Sequence, residues 1–376
     1  MRNGERMDKS NKISVFQMTL LLISAVGLKN HVIVIPMLLK TGGRDAWIGV
    51  LLVALLTLIW SFLLLYIYKT IKGQHINNWL ENNIGKKFSI LFRCVVGVYI
   101  VIIVCVTLRE TITWTNVSYL WRTPPLAITL LFIIPCVLAA MTSLRALAIA
   151  NFFLLALVVF LGHFVAIANI QYKDYSLLLP MFENGFAPIF HSLIYQASGM
   201  VELIFIIFLQ HQFHTKLKYR HFVINTIILT WLTLGPLTGA IVEFGPGEAS
   251  MQRYPAYEEW ALVRVGKYIE HVDYLSIYQW LSGAFIRITL MLYILRLLLN
   301  KSSTKVNVWL LSAVSAIITI TIVIPVDDRY FFDFLNYIAL PATFYIFFTL
   351  SLILACCVFI SNRRKKKGGG TVVNQK

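Results

Sequence analysis

Ten apolar segments, each about as long as a membrane-crossing helix, recur along the whole chain. An α-helix rises about 1.5 Å per residue, so about 20 apolar residues cross the hydrocarbon core of a bilayer. Backbone in that core must pair its own polar groups, and long apolar segments do so as helices. The sequence therefore predicts an all-α polytopic membrane protein with ten transmembrane helices, over residues 13–38, 47–68, 90–113, 125–143, 146–169, 186–212, 221–243, 274–298, 306–325 and 331–360.

The composition excludes an ordinary soluble domain. Hydrophobic residues make up 58% of the 376 residues and charged residues only 13%, whereas soluble domains carry about 25% charged residues. The net charge of +16 would indicate nucleic-acid binding in a soluble protein. Here the basic residues lie mainly in short loops and tails, where they set membrane topology. No nucleic-acid partner is expected.

The positions of Lys and Arg predict the orientation in the membrane. Most of them lie in the N-terminal segment, in alternate loops and in the C-terminal tail. The positive-inside rule places that side, with both termini, in the cytoplasm. We expect a cytoplasmic tail over residues 1–12, a transmembrane domain over 13–360 and a basic cytoplasmic tail over 361–376. No small-residue cleavage site follows the polar N-terminal segment, so a removed signal peptide is not expected.

The largest loop on the opposite side, Phe244–Asp273, is called the outer loop below. Its apolar residues Trp260, Val263 and Val265 alternate with charged residues at helical spacing, which predicts an amphipathic helix. Several tyrosines around it favour the membrane–water interface. The helix is either a simple interfacial anchor or a lid over the outer mouth of the transmembrane domain.

The sixth predicted span does not have the pattern of one regular helix. Ala197, Ser198 and Gly199 form a small-residue gap near its middle, and Glu202 follows within one turn. A charged side chain at that depth costs about 2.5–3.5 kcal/mol on insertion scales, so it must face protein or water. Unwound backbone is tolerated in a membrane only where it lines a cavity or is buried in protein. We interpret the sixth span as a discontinuous helix beside a small-molecule site.

The first predicted span has a similar defect at a similar distance from its start. Gly27 is followed by Lys29, Asn30 and His31, and Pro36 comes later. With ten spans, the first and sixth enter the membrane from opposite faces, so the paired breaks predict an inverted repeat of five plus five helices. Matched interruptions of this kind are the best sequence indication of a transporter-type binding site near the bilayer midplane.

Three stretches resemble the membrane B subunit of bacterial spore germinant receptors: Tyr254–Tyr293, Leu38–Leu52 and Ala197–Glu202. That family is part of the amino acid–polyamine–organocation transporter superfamily. The resemblance implies a LeuT-like fold with broken first and sixth helices, in the inner membrane of the spore. It also implies a larger A subunit and a lipoprotein C subunit as partners, and a small germinant, an amino acid or a sugar, as ligand.

The resemblance further implies that the third, eighth and tenth spans complete the pocket between the two breaks. Free backbone N–H groups at the breaks would suit a ligand carboxylate. The alternative for the glycines is close helix packing, and for each wall residue it is ordinary core packing. The candidate ligand-binding residues are Gly27, Asn30, Tyr99, Ile103, Ser198, Gly199, Val201, Thr289, Tyr293 and Phe344.

Three charged residues, Lys29, Glu202 and Arg287, lie deep inside predicted spans, well away from the span ends. Intramembrane charges pair with one another or mark a pathway. Counting residues along the helices puts Arg287 closer than Lys29 to the depth of Glu202, although the Lys29 side chain is flexible. One hypothesis is a fixed positive charge that replaces the coupling cation of the superfamily, and the alternative is a structural ion pair.

The sequence contains no catalytic triad, phosphate-binding loop or metal-ligand spacing, so we expect neither an enzyme nor a metal or cofactor site. The leading hypothesis is a germinant-sensing receptor subunit that signals to partner subunits. The alternative is a cation- or proton-coupled amino acid permease, which the same fold would support. A membrane scaffold for a partner that senses the ligand is a third possibility.

Overall fold

Helices form nearly all the regular structure in a computed structural model that describes residues 12–264, 266, 271–299 and 304–368. Most of the two predicted tails and Val265 of the outer loop lie outside the described residues. The α-helices are α1 (Val15–Leu28), α2 (Ile35–Gly42), α3 (Ala46–Ile71), α4 (Ile76–Asn83), α5 (Lys86–Ser118), α6 (Pro125–Ala140), α7 (Leu144–Ala168), α8 (Ala187–Met200), α9 (Phe205–Leu209), α10 (Tyr219–Phe244), α11 (Pro246–Met251), α12 (Pro255–Ala261), α13 (Leu275–Leu299), α14 (Thr304–Val323), α15 (Asp328–Phe334) and α16 (Leu340–Gly368).

Nine helical segments among the described residues are long and apolar enough to cross a membrane. Helix α6 is also apolar, but at 16 residues it is shorter than these nine. The prediction of an all-α polytopic membrane protein is confirmed, whereas the tenth crossing and the inverted repeat remain predictions. The nine segments are Val15–Ile33, Ile35–Ile71, Lys86–Ser118, Leu144–Tyr172, Ala187–Gln212, Tyr219–Phe244, Leu275–Leu299, Lys305–Val323 and Asp328–Arg364.

The first and sixth predicted spans lie side by side and run in opposite directions. At one end, the N–H of Ile13 donates to the carbonyl of Gln212 over 2.9 Å. At the other end, Gly42 of α2 approaches Ser192 of α8, and a Cβ at Gly42 would lie 3.1 Å from the Cβ of Ser192. An antiparallel arrangement of these two spans is what an inverted repeat requires, and the cavity described below lies beside their crossing.

Helix α13 lies at the centre of the helix packing. It contacts α1, α5, α6 and α7, while the sixth span packs on the other side against α2, α3 and α16. Most of α13 between Ile286 and Leu295 is buried, because apolar residues cover its whole circumference rather than one stripe. This central position puts Arg287 in the interior.

The outer loop packs on the ends of the long helices. Trp260 of α12 is buried against Leu161 and Val165 of α7, and its indole N–H donates to Gln279 Oε1 over 3.0 Å. The ring of Tyr254 in the loop lies 5.6 Å from the ring of Trp280 near the start of α13. The described part of the loop therefore covers one end of the helix bundle.

Candidate functional site

Both interruptions are changes of helix type. The first span passes from α1 into a π-helical turn at Lys29–Ile33 and resumes as α2. Pro36 at the start of α2 has no N–H to donate to the carbonyl four residues earlier, which explains why the regular pattern fails there. The sixth span tightens to a 3₁₀ turn at Val201–Ile204 between α8 and α9. The backbone stays helical at both places, so its N–H groups are not displayed on extended chain.

A close contact joins the two spans where they cross. Asn30 of the π turn lies against Gly199 of α8, and a Cβ at Gly199 would lie 2.8 Å from Asn30 Cγ. Glycine is therefore required for this approach. Asn30 is fully buried, and neither polar atom of its side chain has a hydrogen-bond partner, so this amide is available for a further contact.

Lys29, Glu202 and Arg287 meet in a buried ion cluster. Glu202 Oε1 accepts from Lys29 Nζ over 3.0 Å and from Arg287 Nη2 over 2.8 Å. Glu202 Oε2 accepts from Arg287 Nη1 over 2.6 Å. The Glu202 side chain is 0% exposed, and those of Lys29 and Arg287 are 4% and 2% exposed. Glu202 therefore pairs with both cations, which the sequence had left as alternatives.

The same cluster ties the interrupted spans to their neighbours. Lys29 Nζ donates to the carbonyl of Ser198 over 2.8 Å. Arg287 donates to the carbonyl of Ala25 over 2.7 Å and to Thr107 Oγ1 over 3.0 Å. Hydrogen bonds to charged groups contribute about 1.5–3 kcal/mol each. The cluster therefore couples the first span, the sixth span, α5 and α13.

The cluster contains two cations and one carboxylate. No other carboxylate forms an ion pair with Lys29 or Arg287 among the described residues. When all three groups are ionised, the site carries one uncompensated positive charge in a buried environment. An anionic group of a ligand would neutralise it.

A small cavity lies directly beside the two cations. Its volume of about 20 Å³ is enough for roughly one water molecule. Tyr99 forms part of its wall, with its hydroxyl donating to the carbonyl of Ala339 over 3.0 Å and lying 2.8 Å from Thr343 Oγ1. An amino acid does not fit unless the helices move. The lining residues are Lys29, Ile33, Tyr99, Ile102, Ile103, Val106, Arg287, Ala339, Leu340 and Thr343.

One wall of the cavity comes from a third interruption that the sequence reasoning missed. A π turn at Leu335–Ala339 precedes α16, and Pro341 follows it closely. Pro341 cannot donate to the carbonyl of Tyr337, which favours an irregular turn. Asn336 and Pro341 within the tenth predicted span are the signals that would have located this turn.

The predicted site residues fall into three groups. Lys29, Tyr99, Ile103 and Arg287 line the cavity. Asn30, Ser198, Gly199 and Glu202 lie at the crossing of the two spans. The residues Gly27, Val201, Thr289, Tyr293 and Phe344 do not line the cavity.

The residues outside the cavity have other neighbours in this conformation. Gly27 faces Leu232, since a Cβ there would lie 2.9 Å from Leu232 Cδ1. The ring of Tyr293 lies 4.6 Å from the Arg296 guanidinium. The ring of Phe344 stacks on the ring of Phe348 in α16, and the two ring centroids are 5.4 Å apart. Their roles in ligand binding remain predictions.

A second set of charges closes the end of the bundle under the outer loop. Glu110 lies seven residues beyond Ile103 on α5, which is about 10 Å along the helix. Arg253 of the outer loop donates from Nη2 to Glu110 Oε1 and, over 2.9 Å, from Nε to Asp328 Oδ2. Arg253 therefore links α5, the outer loop and α15, between the cavity and that face of the protein.

A family model described as "Spore germination protein" matches residues 12–331, which is most of the chain. The chain belongs to this family of spore germination permeases. A member from Bacillus anthracis, "Spore germination protein XB", is 41% identical over 342 residues, which are 91% of this chain and 96% of the relative. The resemblance to B-type germinant receptor subunits is thereby confirmed.

Membership also bears on the kind of activity. Spore germination permeases are transporter-like receptor proteins, and the family gives no indication of a catalytic function. The prediction that the chain is not an enzyme is confirmed on that ground. The apolar helices and the family together make it a multi-pass membrane protein.

Proposed function

We propose that this protein is the germinant-sensing subunit of a spore germination receptor. It binds a small molecule beside the Lys29–Glu202–Arg287 cluster and passes the resulting change to A-type and C-type partner subunits. It acts in the inner membrane of the spore, with both termini on the core side. The observation that carries the proposal is this cluster, because it joins both interrupted spans to α5 and α13 at the edge of a cavity.

The charge of the cluster favours an amino acid over a sugar as the germinant. A ligand carboxylate would satisfy the uncompensated positive charge at Lys29 and Arg287, whereas a sugar would leave it in place. The apolar wall formed by Ile33, Ile103 and Leu340 suits a small apolar side chain. A carboxylate in this position also competes with Glu202 for its donors, which loosens the link between the two interrupted spans.

The small cavity makes ligand binding depend on a conformational change. A ligand shifts the balance between two states only by the difference between its affinities for them. The cavity in this structure holds about one water molecule, so the ligand must bind a second state in which the cavity is larger. The ion pairs of Arg253 with Glu110 and Asp328 must break before a ligand can enter from the outer-loop face.

The test is a ligand screen on the purified full-length protein. A compound that binds only the folded state raises the melting temperature. We expect stabilisation by L-amino acids with small apolar side chains and weaker or no stabilisation by glucose. Stabilisation by no compound of either class would contradict the sensing role and favour a scaffold subunit.

A proton-coupled amino acid permease is the second candidate, favoured by the buried fixed charges at the crossing of the spans. Reconstitution of the protein alone in vesicles separates the two functions. A permease accumulates a labelled amino acid when a proton gradient is imposed. A receptor subunit binds the same amino acid without accumulating it.

A further inference from the structure

A third group of charged residues lies under the outer loop, separate from both the Glu202 cluster and the Arg253 ion pairs. Glu243 is at the end of α10, Glu259 is in α12, and Asn169 and Lys173 follow α7. Asn169 Nδ2 donates to Glu243 Oε2 over 3.1 Å and to the carbonyl of Glu259 over 2.7 Å. Lys173 Nζ lies 3.5 Å from Glu243 Oε1. One amide side chain thus bridges α10 and α12.

The Glu259 carboxyl occupies a space shaped for it. Glu259 is 8% exposed and Asn169 is 0% exposed, and the Glu243 side chain is also 0% exposed. Gly239 of α10 faces the carboxyl, and a Cβ there would lie 2.7 Å and 2.8 Å from its two oxygens. The absence of a side chain at this position lets the carboxyl lie against α10.

The charges in this group do not balance. Two carboxylates face one cation, Lys173, so one negative charge is left over when all three are ionised. Glu259 Oε1 and Asn169 Oδ1 have no hydrogen-bond partner, and buried acceptors of this kind require a donor or a cation. Burial and then the nearby Glu243 raise the pKa of Glu259 well above its usual range, and Lys173 opposes this.

We propose that Glu243 and Glu259 form a binding site for one monovalent positive charge, either a proton or an alkali cation such as Na⁺ or K⁺. The bound charge removes the repulsion between the two carboxylates and holds α12 against α10. Without it, the carboxylates repel each other and α12 separates from α10. Arg253 lies six residues before Glu259 in the same loop. Occupancy of this site therefore also affects the ion pairs of Arg253 with Glu110 and Asp328.

The test compares the wild-type full-length protein with the neutral variant Glu259→Gln in detergent. In choline chloride, with no alkali cation, the wild type should lose stability as the pH rises from about 4.3, the usual pKa of Glu. The sign follows because the folded state binds the proton more tightly than the unfolded state, so stability falls with pH until the folded-state pKa is passed. The loss reaches up to about tenfold in the folding constant per pH unit, and Glu259→Gln should not show it.

Two further measurements make the test decisive. If the occupant is an alkali cation, adding NaCl or KCl at about pH 8 should restore the stability of the wild type. The stability of Glu259→Gln should not change. Amide hydrogen exchange of residues 255–264 should be several-fold faster in the wild type than in the variant at high pH without these salts. Glu248 of α11 is exposed, so Glu248→Gln is the matched control and should behave as the wild type.

The outcomes separate the two occupants. A stability loss with pH that NaCl and KCl do not reverse identifies a proton, and one that they reverse identifies an alkali cation. Glu243→Gln should give the same result as Glu259→Gln, which covers the case in which one variant fails to accumulate. Parallel pH curves and equal hydrogen exchange for the wild type and either variant, with or without salt, would overturn the proposal.

Discussion

Removing the carboxylate of Glu202 should destabilise the protein far more than removing the charge of Lys29. Glu202 accepts three hydrogen bonds, two of them from Arg287. Glu202→Gln leaves two cations in the interior with no anion. Breaking a buried ion pair by removing one partner costs about 3–5 kcal/mol, and the variant should lose that much free energy of unfolding.

Lys29→Met changes the same cluster in the opposite sense. It removes the excess positive charge and leaves Arg287 paired with both oxygens of Glu202. The lost hydrogen bonds from Lys29 to Glu202 and to the Ser198 carbonyl are worth about 1.5–3 kcal/mol each. Relief from the desolvation of one cation offsets a large part of that loss, so the net cost should stay below about 2 kcal/mol.

The measurement is equilibrium unfolding of both variants in detergent, monitored by helical circular dichroism. The matched control is Glu183→Gln, which removes an exposed ion pair of 2.7 Å with Arg44. A surface pair contributes about 0–1 kcal/mol, so the control should be nearly neutral. If Lys29→Met proves more damaging than Glu202→Gln, the assignment of the excess charge to this cluster is wrong.

Three further predictions concern the response of spores to germinant. Gly199→Leu should abolish germination, because its side chain would collide with Asn30, while the protein still accumulates. The control is Gly235→Leu, at a helical glycine where an added Cβ would meet nothing within 4 Å. Arg253→Gln should shorten the delay before germination, measured by the fall in optical density, because the closure is lost; an unchanged delay would contradict a gating role. Tyr99→Phe should cost about 1 kcal/mol of stability and raise the half-maximal germinant concentration, and an unchanged dose–response would place Tyr99 outside the ligand path.

The helical membrane fold was predictable because apolar segments of spanning length constrain the backbone strongly. The location of the breaks was also predictable, from Gly199 with Glu202 and from Lys29 with Pro36. The form of the breaks was not, because π and 3₁₀ turns differ from the α-helix only in hydrogen-bond register, which residue type alone does not specify. The close contact between Asn30 and Gly199 lies at the crossing of the two spans and is a tertiary contact that residue type alone does not reveal.

The pocket was harder to predict than the breaks. Counting residues along straight helices placed Arg287 at the depth of Glu202 and Lys29 away from it, yet both bind the carboxylate. The flexible Lys29 side chain, projecting from the π turn, covers the remaining distance. Residues such as Thr289 and Phe344 share helices with the cavity but not its surface, because the face a helix presents depends on rotation, which sequence spacing does not define.

The two buried clusters have opposite charge imbalances, and this difference connects them. The Glu202 cluster has an excess cation beside the cavity, and the Glu259 pair has an excess anion under the outer loop. Arg253 lies in the loop that Glu259 anchors and pairs with Glu110 on the helix that lines the cavity. Under the two proposals, a ligand carboxylate would neutralise the first cluster and a bound cation would neutralise the second. If both proposals hold, a zwitterionic germinant acts on the inner cluster while the ionic conditions at the outer face determine how firmly the loop is closed above it.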